Sequence, residues 1–311
     1  MSMMATNAKN ISNDEFFFGH KACAGCGGSL ALRIALKVLG KDTIVMLPAG
    51  CMSAVGFNFP QLCFSNNAMI TPFASTAAVA SGVAAGLKSQ GIDTRTHQVI
   101  GFAGDGGTAD IGIQALSGAI DRNDDIIYFC YDNEAYMNTG IQKSGLTPKF
   151  ASTTTTPFIK DAKGSLSNKK NLFEIVASHD LPYAATASVG YLSDYIKKIE
   201  KAASIKGTKF IHVLAPCPTG WGYDVSETMN VAREVVDCGL WYLAEFEGSQ
   251  VCGKPMGNFK VTYFPRKLDN ESVGHYLLSQ KRFSGIEDED INAVEKMRDD
   301  KWEFINKNWS R

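Results

Sequence analysis

Two sets of residues in this sequence could do chemistry. The first is Gly104-Asp105-Gly106 taken with Asp132-Asn133-Glu134. Residues 98–103 read as a short buried strand that runs out at the glycine-bracketed acid, and residues 126–131 as a second strand that runs out just before Asn133. In an open parallel sheet, ligands bind beyond the carboxyl ends of strands, which places both polar tips toward one site. Asp105 and the Asn133 amide oxygen are hard oxygen ligands, the type that holds magnesium jointly with phosphates. Gly104 and Gly106 let the backbone turn sharply and approach a ligand, with no side chain to block a diphosphate. The second set is Cys23, Cys26, Cys51 and Cys217. The first two form a CxxC wrapped in glycine, and the others follow strands expected over 43–47 and 210–215. Four thiolates in one place repel one another unless a cation or cluster lies among them. The spacing leaves three readings open: a [4Fe–4S] cluster, suggested by the proline after Cys217, a zinc site, or separate buried or reactive thiols. Cys63, Cys130, Cys238 and Cys252 have no comparable arrangement, and Cys130, inside a strand, reads as a core thiol.

The elements that must position these residues have an α/β rhythm. Ser29 is placed to cap a helix through Leu39 that Gly40 closes, and residues 76–87 form an Ala/Gly-rich helix suited to burial as a crossover and to close packing. A helix over 109–120 follows the Gly-Asp-Gly turn, its start open to phosphate and Asp110 a first-turn acid. Residues 135–145 carry many specific polar groups without a regular period. Residues 150–168, rich in Thr, Ser and Lys, read as an excursion. Helices over 172–178 and 193–203 and strands over 183–187 and 210–215 complete the pattern. The fold class is therefore α/β, a mostly parallel sheet flanked by helices. The expected organisation is a poorly ordered leader at 1–18 that docks through Phe16-Phe17-Phe18, a main domain over 19–246, and a C-terminal subunit-contact appendage over 247–311. That appendage has a strand near 261–264 and helices near 273–278 and 290–305.

A chain of 311 residues, 45% apolar, can bury a sizeable core. A formal charge of -1 without a long basic run points away from nucleic acid. The polar start lacks a secretory signal, and no apolar run is long enough to span a membrane, so a cytoplasmic setting is expected.

Taken together, HKACAGCGG (20–28), AGCMS (49–53), GFAGDGGTADIG (101–112), YDNEAYMNTGIQKSG (131–145) and LAPCPTGW (214–221) are similar to the thiamine-diphosphate-binding beta subunit of the 2-oxoacid:ferredoxin oxidoreductases. The likeness runs from about His20 to Phe283, includes YLLSQKRF (276–283), and is strongest to the pyruvate branch, pyruvate synthase. It implies the thiamine-diphosphate-binding fold. Cys23, Cys26, Cys51 and Cys217 match the ligands of one [4Fe–4S] cluster. Asp105, the Asn133 side chain and the Ala135 carbonyl match the magnesium ligands, and Gly104 and Gly106 belong to the phosphate turn. Asn138 and Thr139 match active-site loop positions near the thiazolium or substrate. His20 reads as a local hydrogen-bond partner rather than a proton carrier, and Gln142 and Lys143 as contacts to CoA or a partner, or as ordinary loop. The activity implied is CoA-dependent oxidative decarboxylation of pyruvate with electron transfer to ferredoxin. The implied partners are alpha, gamma and delta-type subunits and external ferredoxin. Oxalate or 2-oxoisovalerate are alternative substrates. A zinc-stabilised, noncatalytic interaction subunit is the reading from a different class, and it has no need of both Asp105 and Asn133 at strand ends.

Overall fold

A computed structural model describes residues 11–159, 162–266, 268 and 270–310. Its centre is an eight-stranded sheet of β1 (Ile44–Pro48), β2 (Asn67–Thr71), β3 (Val99–Gly104), β4 (Ile127–Asp132), β5 (Tyr183–Ser188), β6 (Lys209–Leu214), β7 (Leu243–Glu247) and β8 (Asn258–Tyr263), in the spatial order β8-β7-β5-β6-β4-β3-β1-β2. β1 to β6 run parallel, while β7 is antiparallel to both β5 and β8. β4, β5 and β6 are buried along their whole length, as expected of parallel strands covered on both faces. Gly101 in β3 is needed for space, since a Cβ there would lie 2.8 Å from the Tyr128 ring.

Helices α1 (Gly27–Leu39), α2 (Cys51–Gly56), α3 (Thr76–Ser89), α4 (Ile113–Asp121), α5 (Leu172–Ala177), α6 (Leu192–Ser204), α7 (Pro218–Trp221), α8 (Thr228–Asp237), α9 (Asn270–Leu278) and α10 (Asp288–Asn308) surround the sheet. The expected elements lie within a few residues of these bounds, with informative exceptions. The α1 cap is Cys26, whose thiol accepts from Ser29 N, rather than Ser29. The helix expected from 109 is instead a π-turn over Gly106–Asp110 followed by α4. α3 is buried on one face only: Ala78, Gly82 and Ala85 are exposed, and a Cβ on Gly82 or Gly86 would meet nothing. β2, β7, α2, α7 and α8 lie where no element was expected.

The first ten residues of the expected leader lie outside the described residues. Its end is core: Phe17 is fully buried, stacked 4.9 Å from Phe64 and 4.4 Å from His20, and Phe16 is buried beside it. At the other end, β8 is an edge strand of the main sheet, and position 246/247 falls inside β7, whose residues 246 and 247 both pair with β8. α10 seats Trp302 in the core, and Trp309, which caps its end, follows it there. The Trp302 indole N–H donates to Gly239 O at 2.8 Å, and Trp309 stacks 4.8 Å from Phe259. Among the described residues, no helix is long and apolar enough to cross a membrane.

Candidate active site

The carboxyl ends of four adjacent strands, β6, β4, β3 and β1, lead into Cys217, Asn133, Asp105 and Cys51 respectively. β3 and β4 finish level, Gly104 opposite Tyr131, which sets Asp105 beside Asn133. Asp105 is buried, and burial together with the negative charge of Asp132 pushes its carboxyl well above the usual carboxylate range. The Ser144 hydroxyl donates to Asp105 Oδ2. The end of the Asn133 amide that faces the site is 2.9 Å from Asp105 Oδ1 and 2.9 Å from the Ala135 carbonyl oxygen. With its nitrogen inward the amide makes two hydrogen bonds. With its oxygen inward, three oxygens converge and require a cation among them. A carboxylate, an amide oxygen and a backbone carbonyl suit a hard divalent cation whose remaining positions go to phosphate and water, and a dication would supply the positive charge that Asp105 lacks.

Gly106 matters through contact rather than conformation, for neither it nor Gly104 has a positive φ. A Cβ on Gly106 would lie 2.4 Å from the Tyr136 ring, and the Tyr136 hydroxyl donates to Asp110 Oδ2 at 3.0 Å. Asp110 also accepts from Gly145 N at 2.9 Å and pairs with Lys170 at 2.5 Å, so it ties the following loop down rather than serving only as a helix-dipole acid. Asn138 and Thr139 stand exposed on that loop. The Thr139 hydroxyl is engaged within the turn by Gln142 Oε1, at 2.5 Å.

The thiols are brought together by backbone docking. Gly27 N donates to Pro216 O at 3.1 Å, and a Cβ at 27 would lie 2.7 Å from the Ala215 carbonyl carbon, so the CxxC turn sits directly on the Cys217 segment. On its other side, Thr228 Oγ1 donates to Gly25 O at 2.7 Å. Cys26 Sγ accepts from Ser29 N and Cys217 Sγ from Gly220 N, both at 3.4 Å, at the starts of α1 and α7, and Cys51 begins α2. Burial, then the neighbouring Cys217, Cys26 and Cys23, raise the Cys51 thiol to about 12. Burial chiefly raises Cys217 to about 11. Without a cation these two thiols hold their protons, and a bound metal centre would reverse that. Among the described residues, no three His, Cys, Asp or Glu side chains close to the spacing of a single metal ion. His20 accepts from Ala22 N at 3.3 Å through Nδ1, the local role expected of it.

Behind the oxygen donors lies a buried ionic chain that local sequence did not reveal. Asp132 meets His212 Nε2 at 2.9 Å and Lys169 at 2.7 Å. Glu134 meets the same Lys169 at 2.7 Å and Arg282 at 2.7 Å. Burial would raise Asp132, but Lys169 and His212 outweigh it and hold the carboxyl below its ordinary value. A cavity of about 350 Å³ opens beside this chain, walled in part by Trp241, Tyr242 and Tyr276.

Residues 48–213 match the family model described as thiamine pyrophosphate enzyme, C-terminal TPP binding domain. The matched stretch contains Asp105, Asn133 and Cys51 and excludes the other three cysteines of the set. The chain is 45% identical over 290 residues to the pyruvate synthase subunit PorB of Methanothermobacter thermautotrophicus, covering 93% of this chain and 96% of that one. This chain belongs to the thiamine-diphosphate-binding subunits of the 2-oxoacid:ferredoxin oxidoreductases. Members of this family with a second substrate in their name are equally similar: the ketoisovalerate oxidoreductase subunit VorB of Pyrococcus horikoshii is 43% identical over 297 residues, 94% of this chain and 93% of that one. A 2-oxoglutarate:ferredoxin oxidoreductase from Magnetococcus marinus, solved with 2-oxoglutarate, coenzyme A and succinyl-CoA, has the same fold. It superposes with a TM-score of 0.56 at 19% identity, covering 74% of this chain and 84% of that one. As a thiamine-diphosphate-dependent oxidoreductase subunit, the chain is an enzyme component, and the noncatalytic reading falls.

Proposed function

We propose that the chain is the thiamine-diphosphate-binding subunit of a pyruvate:ferredoxin oxidoreductase, which converts pyruvate and CoA to acetyl-CoA and carbon dioxide and passes electrons to ferredoxin. The observation that carries this reading is the meeting of a hard-oxygen donor set and a group of thiols at the ends of four adjacent strands. In this reading Asp105, Asn133 and Ala135 hold magnesium, which fixes the diphosphate near Gly104 and Gly106. Cys23, Cys26, Cys51 and Cys217 hold one [4Fe–4S] cluster. When bound, these groups supply carbanion stabilisation and single-electron uptake, which no side chain can provide. The protein's own part is placement. Ser144 orients the Asp105 carboxylate, Trp221 fixes Asn133 by donating to its backbone carbonyl oxygen at 2.8 Å, Asn138 offers its amide to substrate from the exposed loop, and Thr139 shapes that loop through Gln142.

Alpha, gamma and delta-type subunits, external ferredoxin, pyruvate and CoA complete the assembly. A contact role for the 247–311 segment is supported by exposed apolar side chains such as Leu278 and Phe304. Pyruvate is favoured by the sequence of the 131–142 loop. In the assembled complex, kcat/KM is expected to be highest for pyruvate among pyruvate, 2-oxobutyrate, 2-oxoisovalerate, 2-oxoglutarate and oxalate, measured by reduction of ferredoxin. A higher value for 2-oxoisovalerate would move the enzyme to the branch that the VorB relatives represent.

The thiol assignment has its own test. After anaerobic purification, the chain is expected to carry about four irons with matching sulfide and a broad absorbance band near ~400 nm, as for cysteine-ligated iron–sulfur centres. Stoichiometric zinc without sulfide would overturn it.

A further inference from the structure

The two loop residues that face the oxygen site alternate with two that face away. Asn133 and Ala135 turn toward Asp105, while Asp132 and Glu134 enter the ionic chain. Between the two donors, Glu134 has φ +65°, the left-handed region that side chains other than glycine rarely adopt. Such a residue persists only where its surroundings over-determine it. Here Glu134 N donates to Asp132 Oδ1 at 3.0 Å, and Thr147 Oγ1 donates to Glu134 O at 2.7 Å. Its carboxylate is met from two sides: Lys169 donates to Oε1 at 2.7 Å, and Arg282 pairs by charge with Oε2 at 2.7 Å, an oxygen with no hydrogen bond of its own among the described residues. Arg282 is itself held: its Nε donates to Gln280 Oε1 at 2.9 Å, and its guanidinium lies 3.8 Å from the Trp221 ring centroid. That same indole fixes the Asn133 carbonyl.

We infer that Arg282 and Lys169 are positioning residues for the metal-binding loop: clamping the Glu134 carboxylate, they hold residue 134 left-handed and so aim the Asn133 side chain and the Ala135 carbonyl at Asp105. This rests on the reading that those three residues hold magnesium with diphosphate. Arg282 acts from the turn that follows α9, so a segment remote in sequence sets the geometry of the ligand loop. Its side chain meets Glu134, Gln280, Trp221 and Phe283, so its effect on the oxygen donors passes through Glu134 and Trp221.

The test uses the complex assembled with its partner subunits, with thiamine diphosphate binding titrated against magnesium by calorimetry and with Mn²⁺ as the paramagnetic reporter of ligand geometry. Arg282→Gln is expected to weaken the metal about tenfold, about 1.4 kcal/mol, and to broaden the Mn²⁺ resonance as the ligand set becomes heterogeneous. Arg282→Lys, which keeps the charge but not the planar fork, is expected to lose less. Adding Glu134→Gly to Arg282→Gln should recover affinity to within about threefold of the parent, because glycine adopts positive φ freely while Lys169 keeps Asp132 as its partner. Replacing Glu134→Gly by Glu134→Gln in the same background, which removes the charge but keeps the Cβ, should give no recovery, and this separates backbone freedom from relief of an unpaired carboxylate. Asp105→Ala is run alongside. If Asp105→Ala removes magnesium dependence while Arg282→Gln stays within about twofold of the parent, or Glu134→Gly brings no recovery, the inference is overturned and the metal site stands. Unchanged magnesium dependence in Asp105→Ala would remove the metal reading and the inference with it. Should Arg282→Gln fail to assemble, an unaltered affinity and Mn²⁺ spectrum in Arg282→Lys would overturn the inference.

Discussion

Asp105→Ala is expected to lower magnesium-dependent affinity for thiamine diphosphate by about 100-fold or more, the top of the range seen even for groups one shell removed from a metal. The reason is the composition of the donor set. Asp105 is the one carboxylate in it, and the other two oxygens are neutral, from the Asn133 amide and the Ala135 carbonyl. Alanine leaves a dication facing two neutral oxygens in a buried pocket, with the charge of Asp132 already committed to Lys169 and His212. Isothermal titration on the assembled enzyme measures the effect. Iron content should remain near the parent's, because the CxxC turn docks on Pro216 and Thr228 and not on Asp105. An affinity that is unchanged would remove Asp105 from the list of ligands.

The purified chain, loaded with its metals but separated from partners, is expected to show less than about 1% of the assembled enzyme's kcat. Losing catalytic geometry costs orders of magnitude in rate, and in the proposed assembly this chain would contribute one side of the site only. Its oxygen donors would grip the diphosphate, yet no second thiamine-binding domain and no second four-cysteine set is evident in the sequence. Adding the alpha and ferredoxin-like subunits should restore turnover that depends on pyruvate, CoA and ferredoxin. Full turnover by a chain shown by size exclusion and mass spectrometry to be free of partners would end the shared-site model.

The strands ahead of Asp105 and Asn133 were legible because they are unbroken apolar runs, and observed β3 and β4 are shifted by one residue from expectation. Asp105 and Asn133 were legible as candidates for the same local reason, a polar tip at a strand end, whereas Ala135 came only from the family resemblance. Ser144, Lys169 and Arg282 were not, because each reaches the site from a separate part of the chain, and a lysine pair in a Ser/Lys-rich stretch looks like solvated surface. α8 did carry a signal in the spacing of Val231, Ala232, Val235 and Val236, its buried face. Phe17 was misplaced for want of any local cue that Phe64 would cover it. Glu134 carries no sequence mark of its left-handed backbone, since the groups that surround it, Asp132, Thr147, Lys169 and Arg282, meet it only in the fold.

The sheet joins two halves of the chain at the β4–β6 pairing, with residues 44–132 supplying one side and 183–263 the other. Because domains fold as they leave the ribosome, N-terminal parts first, this division sets an order of events during synthesis. Three of the thiols emerge within the first 51 residues, but Cys217 and the Pro216 carbonyl on which the CxxC turn docks emerge with the second half. A nascent chain therefore presents three cysteines without the surface that gathers them, so insertion of the proposed metal centre would wait until β6 has paired with β4. The oxygen donors come earlier, at 105, 133 and 135, yet Arg282 arrives almost last. On the proposed roles, translation would deliver the oxygen donors well before the arginine that aims them.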